Sequence, residues 1–316
     1  MTTDDRLTEA EDKLQTLGFD LRLDDATRRK IATKGFGRAT LPQTIVLAQI
    51  LNDEGPISVR GAFYRAVSAG VYPDTADKHY RAAGIAILKL RRLGIISYDK
   101  VSDSTRVRDK PSSWVNLNDF ANTVRRAYRK DLWCGQSSHV EVAVEKDAMF
   151  GVLSPVTHDL DVNLNVIRGA ASETFVWTWA ESLMEIDLPI TIYYLGDHDP
   201  SGLQIERDLR SRLEGFLDGE PVNWQRLAIN AEDFHRADLI GFPIKKARDG
   251  SLRPHDRDYH AAFGDKCIEV DAIPATEIRE RLKEAINQHI DTDAWERLSE
   301  AETVESETLA AWTFDE

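Results

Sequence analysis

The chain has 316 residues, 42% hydrophobic and 30% charged, enough for two domains or one large one with a proper core, and no apolar run approaches the roughly 20 residues of a membrane span. The acidic first stretch lacks the apolar core of a secretion signal, and Cys134 and Cys267 are too few for a disulfide framework or a zinc site. Both are expected to be buried thiols in a cytoplasmic protein with no membrane association. The net charge of −14 conceals an asymmetry: residues 26–130 carry 20 basic and 8 acidic side chains, whereas 131–316 carry 17 basic and 38 acidic. A basic segment can hold a polyanion by releasing condensed counterions, so overall acidity does not exclude nucleic acid.

In chain order, residues 41–56 (LPQTIVLAQILNDEGP) predict a helix stopped by Gly55-Pro56, and 58–70 a second helix ending at Gly70. Residues 75–96 place Tyr80, Ala83, Ile87 and Leu90 on one helical face and most of Lys78, Arg81, Lys89, Arg91 and Arg92 off it. The segment 95–108 (IISYDKVSDSTRVR) reads as a hairpin with a polar tip. Helices, a basic helix and a hairpin match a winged helix-turn-helix, which lays one helix in a DNA groove. Composition turns acidic near 131–138, which predicts a boundary between a first domain, 1–130, and a second, 131–316.

Beyond the boundary, strands and helices alternate: strands at 139–147, 163–169, 190–199 and 223–229, with helices between. Repeated strand–helix units predict a parallel sheet with helices on its faces and a site at the carboxyl ends of the strands. The first strand ends at Glu145 and the third at Asp197 and Asp199, ahead of a Pro200–Gly202 turn. Like charges so close need solvent or a cation. An all-oxygen donor set suits a hard ion, above all Mg²⁺, which binds through one or two carboxylates, retained waters and phosphate oxygens. Lys146 and Asp147 could support Glu145, and Glu269 and Asp271 in IEVDAIP could orient the fold or the metal. The eight histidines show no ligand spacing; Trp177 and Trp179 read as core; no glycine-rich phosphate loop suggests ATP binding.

The segments VEKDAMFGVL and GDHDPSG resemble the two halves of a Toprim domain, a Glu ending one strand and Asp-X-Asp ending another. In detail they are similar to the topoisomerase VI A subunit and its meiotic relative that makes double-strand breaks, as are GFPIKKARD and CIEVDAIPATEIRERLKEAI further on. The segment SVRGAFYRAV resembles that family's Arg-X-X-Tyr-Tyr segment, with Phe63 at the first aromatic position. The resemblance implies an α/β fold with an α+β first part: a winged-helix DNA-binding domain followed by a Toprim domain. It implies Tyr64 as nucleophile, with Arg60 beside it, and Glu145, Asp197 and Asp199 as ligands of Mg²⁺. It also implies double-stranded DNA as substrate, a homodimer in which one protomer's tyrosine faces the other's metal site, a topoisomerase VI B-type ATPase subunit as partner, and a nucleoid-associated location.

The residues support such a role. A free tyrosine is a weak nucleophile at pH 7, and Arg60, one helical turn earlier, could stabilise charge on a phosphate. Two other readings stay open: a Toprim nuclease of a plasmid-defence system that hydrolyses DNA with activated water, and a non-catalytic DNA-binding scaffold.

Overall fold

The computed structural model describes residues 2–102, 112–218, 222–246, 251–253 and 256–310. The first part is helical: α1 (Thr3–Thr16), α2 (Asp25–Thr33), α3 (Leu41–Glu54), α4 (Val59–Ser68), α5 (Asp77–Arg92) and α6 (Leu117–Ala127). Helix α3 is apolar nearly all round, with Leu41 to Leu51 buried apart from Gln43, and the other helices gather about it. The α5 periodicity acts as expected, burying Ala83, Ile87 and Leu90 and leaving Lys78, Arg81 and Arg92 exposed. Between Ile95 and Ser102 the chain forms a 3₁₀ turn, Tyr98–Lys100, and one parallel bridge, Ile57 to Val101. The rest of the expected hairpin, 103–108, lies outside the described residues.

The second part is α/β. Strands β1 (His139–Val144), β2 (Asn163–Val166), β3 (Ile190–Leu195) and β4 (Asn223–Ala228) form a parallel sheet of order β2-β1-β3-β4. Helix α7 (Phe150–Asp159) follows β1, α8 (Glu173–Met184) follows β2 and α9 (Pro200–Phe216) follows β3. Parallel strands need such crossovers, and helices on both faces bury both sides of the sheet. Alternation sorts the side chains: Ala143, Ile192 and Tyr194 pack with Trp179 of α8 and Leu209 of α9, while Val142, Val144, Tyr193 and Leu195 face the opposite core. The chain continues through α10 (Ala231–His235), the β5 (Phe242–Pro243) and β6 (Lys266–Cys267) pair with α11 (Arg257–Phe263) between, and α12 (Ala275–Asn287) and α13 (Thr292–Ala310).

One buried cluster runs through both parts, from Leu7 in α1 to Ile286 in α12. Arg279 of α12 donates to the carbonyls of Glu54 at 2.7 Å and Pro56 at 3.1 Å, tying the end of α3 to the second part. Helix α6 and the segment after it join α13: Arg125 of α6 donates to the Leu309 carbonyl at 2.6 Å, and Lys130, past the helix end, pairs with Glu305 at 2.7 Å.

Two expectations about single residues are corrected. Cys134 is exposed, since it sits in the turn before β1 rather than inside an element; Cys267, within β6, is buried. Trp179 is core, but Trp177, two residues earlier on α8, points away from the sheet and is 43% exposed against Phe216. No helix among the described residues is long and apolar enough to cross a membrane.

Candidate active site

Strands β1 and β3 are neighbours in register, Val144 opposite Leu195, so the next residues, Glu145 and Gly196, leave the sheet side by side. Glu145 Oε2 accepts a hydrogen bond from the Asp197 N–H at 3.1 Å. Gly196 is required there, because a Cβ would lie 2.6 Å from the Tyr194 ring and 2.9 Å from Glu145 Oε2. Asp199 ends the extended stretch as the N-cap of α9: its Oδ1 accepts from the Gly202 N–H at 2.6 Å, with Pro200 at the first helical position. A Cβ on Gly202 would collide with the Asp197 carbonyl oxygen. The Asp-His-Asp-Pro-Ser-Gly run is thus a tight strand-to-helix turn that also carries two carboxylates. His198 points away from both and is buried against Tyr259, Phe234 and Phe263. Burial, then the charge of Arg226, pushes its pKa down to about 4, so it is neutral.

The residues that hold Asp197 come from far along the chain. Its Oδ1 accepts from the Val270 N–H at 2.9 Å, and its Oδ2 lies 3.0 Å from Lys146 Nζ. The same ammonium reaches Glu269 at 2.7 Å and Asp271 at 3.1 Å. Burial lowers the basicity of Lys146, but Asp271, Asp197 and Glu269 outweigh that and hold it above the ordinary lysine value. Ser58, the N-cap of α4, donates to Asp271, and Arg60 of α4 pairs with Glu269 at 2.9 Å. Lys146 therefore joins the helical part to the acidic strand ends. Its neighbours Glu269 and Asp271 approach through the 3₁₀ turn Val270–Ala272, which packs against α4. Ser58 is a site residue that the sequence analysis missed. Only its place just before α4, with a hydroxyl suited to capping, marked it.

Electrostatics follow from this crowding. Burial, then Asp197, with a contribution from Asp199, pushes the Glu145 pKa up to about 7. Burial raises Asp197 to about 6 although Lys146 and the Val270 N–H pull the other way. Tyr194, fully buried at the end of β3, has a hydroxyl with no hydrogen-bond partner among the described residues and lies close to Glu145. Burial at the carboxyl edge of the sheet thus favours the protonated form of both Glu145 and Asp197, against the pull of Lys146.

Folding brings the expected site residues together only in part. Glu145 and Asp197 meet through the Asp197 N–H; Asp199 follows on the same turn, engaged with α9. Among the described residues no three Asp, Glu, His or Cys side chains converge closely enough to hold a metal ion between them. The Lys146 ammonium takes the position beside Asp197 instead. The donor chemistry still suits Mg²⁺, which binds through one or two carboxylates and completes its octahedron with water and phosphate oxygens. Arg60 is committed to Glu269 and stacks over Tyr80 at 5.5 Å. Tyr64 is 5% exposed, packed against Phe63 and Phe242. Burial, then Glu269, raises its pKa well above the ordinary phenol value; Arg60 and Lys146 act the other way without prevailing. Of the GFPIKKARD segment, residues 247–249 lie outside the described residues. A cleft of about 430 Å³ opens beside this network, lined by Ser58, Arg60, Tyr80, Arg91 and Lys146 among others.

A helical part followed by an α/β part with a charged centre at the carboxyl edge of a parallel sheet is the class that these observations define. No protein-family model and no curated protein matches the chain.

Proposed function

We propose that the chain is a DNA-cleaving subunit of the topoisomerase VI A type, a homodimer that breaks double-stranded DNA and works with a topoisomerase VI B-type ATPase subunit. The observation that carries this reading is the adjacency of Glu145 and Asp197, both buried at neighbouring strand ends and joined through the Asp197 N–H. Mg²⁺ would bind through one or two of Glu145, Asp197 and Asp199, with water and phosphate oxygens completing its shell. When bound, Mg²⁺ supplies positive charge to a phosphodiester and to its leaving oxygen. The basic first part, with a winged-helix role for α5, supplies the DNA-binding surface.

In this reading Tyr64 Oη bonds to the phosphorus and the bond to the 3′ oxygen breaks, leaving a 5′-phosphotyrosyl link and a free 3′-hydroxyl. The phenol proton goes to a base or solvent, and the departing 3′ oxygen gains one. Arg60 takes a phosphate oxygen when it exchanges Glu269 for the substrate. The bond energy kept in the covalent link permits religation.

One observation favours a second reading. Tyr64 is buried and its hydroxyl is kept neutral, so a Toprim-type nuclease using water as nucleophile would need no movement of α4. Denaturing electrophoresis of labelled DNA, with Mg²⁺ and with and without protease, separates the two. Transesterification predicts a protease-sensitive shift that Tyr64→Phe abolishes; hydrolysis predicts cleavage without a shift that survives Tyr64→Phe. Undiminished cleavage by both Glu145→Ala and Asp197→Ala would overturn the assignment of the acidic centre.

A further inference from the structure

We propose that Arg226 is a positioning residue for the acidic centre, fixing the Gly196–Asp197 peptide and thereby setting where Asp197 can meet a divalent cation. The inference rests on the reading of that centre given above.

Pairing in the sheet puts Arg226 opposite Tyr194, and the next matched pair is Leu195 with Ala228, so the β4 register shifts beside the site. Bulges of this kind re-aim a side chain. Here the guanidinium swings over the carboxyl end of β3. Its Nη2 donates to the Gly196 carbonyl at 3.0 Å and the Asp197 carbonyl at 2.5 Å, its Nε to the Ile229 carbonyl at 2.7 Å, and its Nη1 pairs with Glu206. The Tyr194 ring lies 5.5 Å from its Cζ. From the other side, the Asp197 N–H donates to Glu145. Arg226 and Glu145 therefore grip the same turn from opposite sides. A planar fork can serve three carbonyls and a carboxylate at once; an ammonium cannot. An ion pair needed only for stability would be satisfied by Glu206 alone, so the three carbonyl bonds point to control of the turn.

The test is Mn²⁺ binding to the full chain without DNA, read from the electron paramagnetic resonance of free Mn²⁺, with thermal unfolding in parallel. Arg226→Gln and the milder Arg226→Lys should each weaken Mn²⁺ binding by about tenfold or more, the usual consequence of losing a group that orients a ligand. Glu206→Gln leaves the carbonyl bonds in place and should weaken it by less than about threefold, even where its melting temperature falls as far as that of Arg226→Lys. A folded Arg226→Lys that binds Mn²⁺ as tightly as wild type would overturn the positioning role and leave the acidic centre intact. Wild-type protein that binds no Mn²⁺ would overturn both.

Discussion

The guanidinium of Arg60 and the carboxylate of Glu269 meet at 2.9 Å across the junction of the helical and α/β parts. Glu269 is shared with Lys146, and Lys146 with Asp197. Alternating charge therefore runs unbroken from the helix carrying Tyr64 to the strand end carrying the acidic centre. Any phosphate that draws Arg60 away from Glu269 alters the balance on Lys146, and through it on Asp197.

Lys146 should be a large single contributor to stability. Replacing it by Met leaves Asp197, Glu269 and Asp271 crowded together with no ammonium between them. Breaking a buried ion pair on one side costs on the order of 3–5 kcal/mol. Chemical denaturation of Lys146→Met at pH 7 should show a loss near the lower end, because Glu269 keeps Arg60 and some solvent. A loss below about 0.5 kcal/mol would place the residue among ordinary surface lysines.

Glu141 should govern part of the acid stability. It is buried on β1 and accepts from Asn165 at 2.7 Å, Trp179 at 2.6 Å, and Asn163 and His139 at 3.1 Å. Burial alone would raise its pKa, but these donors outweigh burial and hold it below 4.5. A carboxylate depressed in the folded state stabilises above its unfolded value and loses that contribution as pH falls through its folded value. Glu141→Gln should cost about 1–3 kcal/mol at pH 7, and its gap from wild type should narrow below about pH 4.5. Urea titrations across that range give the gap; one independent of pH would contradict the assignment.

Gly202→Ala should damage the turn that carries the carboxylates. The added Cβ collides with a backbone atom, the Asp197 carbonyl oxygen, and no side-chain rotation can relieve that clash. Overpacking of this kind costs about 1–3 kcal/mol. Gly215→Ala, on the same helix with open space around it, is the control and should be neutral or slightly stabilising. Equal melting temperatures for the two variants would show that the turn is not tight.

The outer face of α5 should set the salt dependence of DNA binding. Lys78 and Arg81 are exposed on the side opposite Ala83 and Ile87. Removing one cationic side chain that neutralises a phosphate flattens the slope of log K against log salt by about 0.9. Lys78→Gln with Arg81→Gln should therefore flatten it by up to about 2 in fluorescence-anisotropy titrations of the full chain. An unchanged slope would remove α5 from the proposed DNA-binding surface.

Periodicity and local chemistry were enough to read several features. The 3.6-residue repeat put Ala83, Ile87 and Leu90 inside, because one helical face must meet the core. Alternating strands and helices specified a parallel sheet, because parallel pairing needs a helical return. Glu145 and Asp197 were placed at strand ends because an apolar run stops at each, and Pro200 marked the start of α9. What covers a face, and which distant charge meets which, is not local information. Lys146 found Glu269 and Asp271 more than a hundred residues away only when the 3₁₀ turn docked on α4. Tyr64 stands one turn from Arg60 on any helix, but its burial against Phe242 and its high proton affinity beside Glu269 come from elements packed over it. Arg226 reads as one more strand arginine until the register shift in β4 carries it over the Gly196–Asp197 peptide. Desolvation and charge pairing depend on the whole packed neighbourhood, so tertiary structure alone decided them.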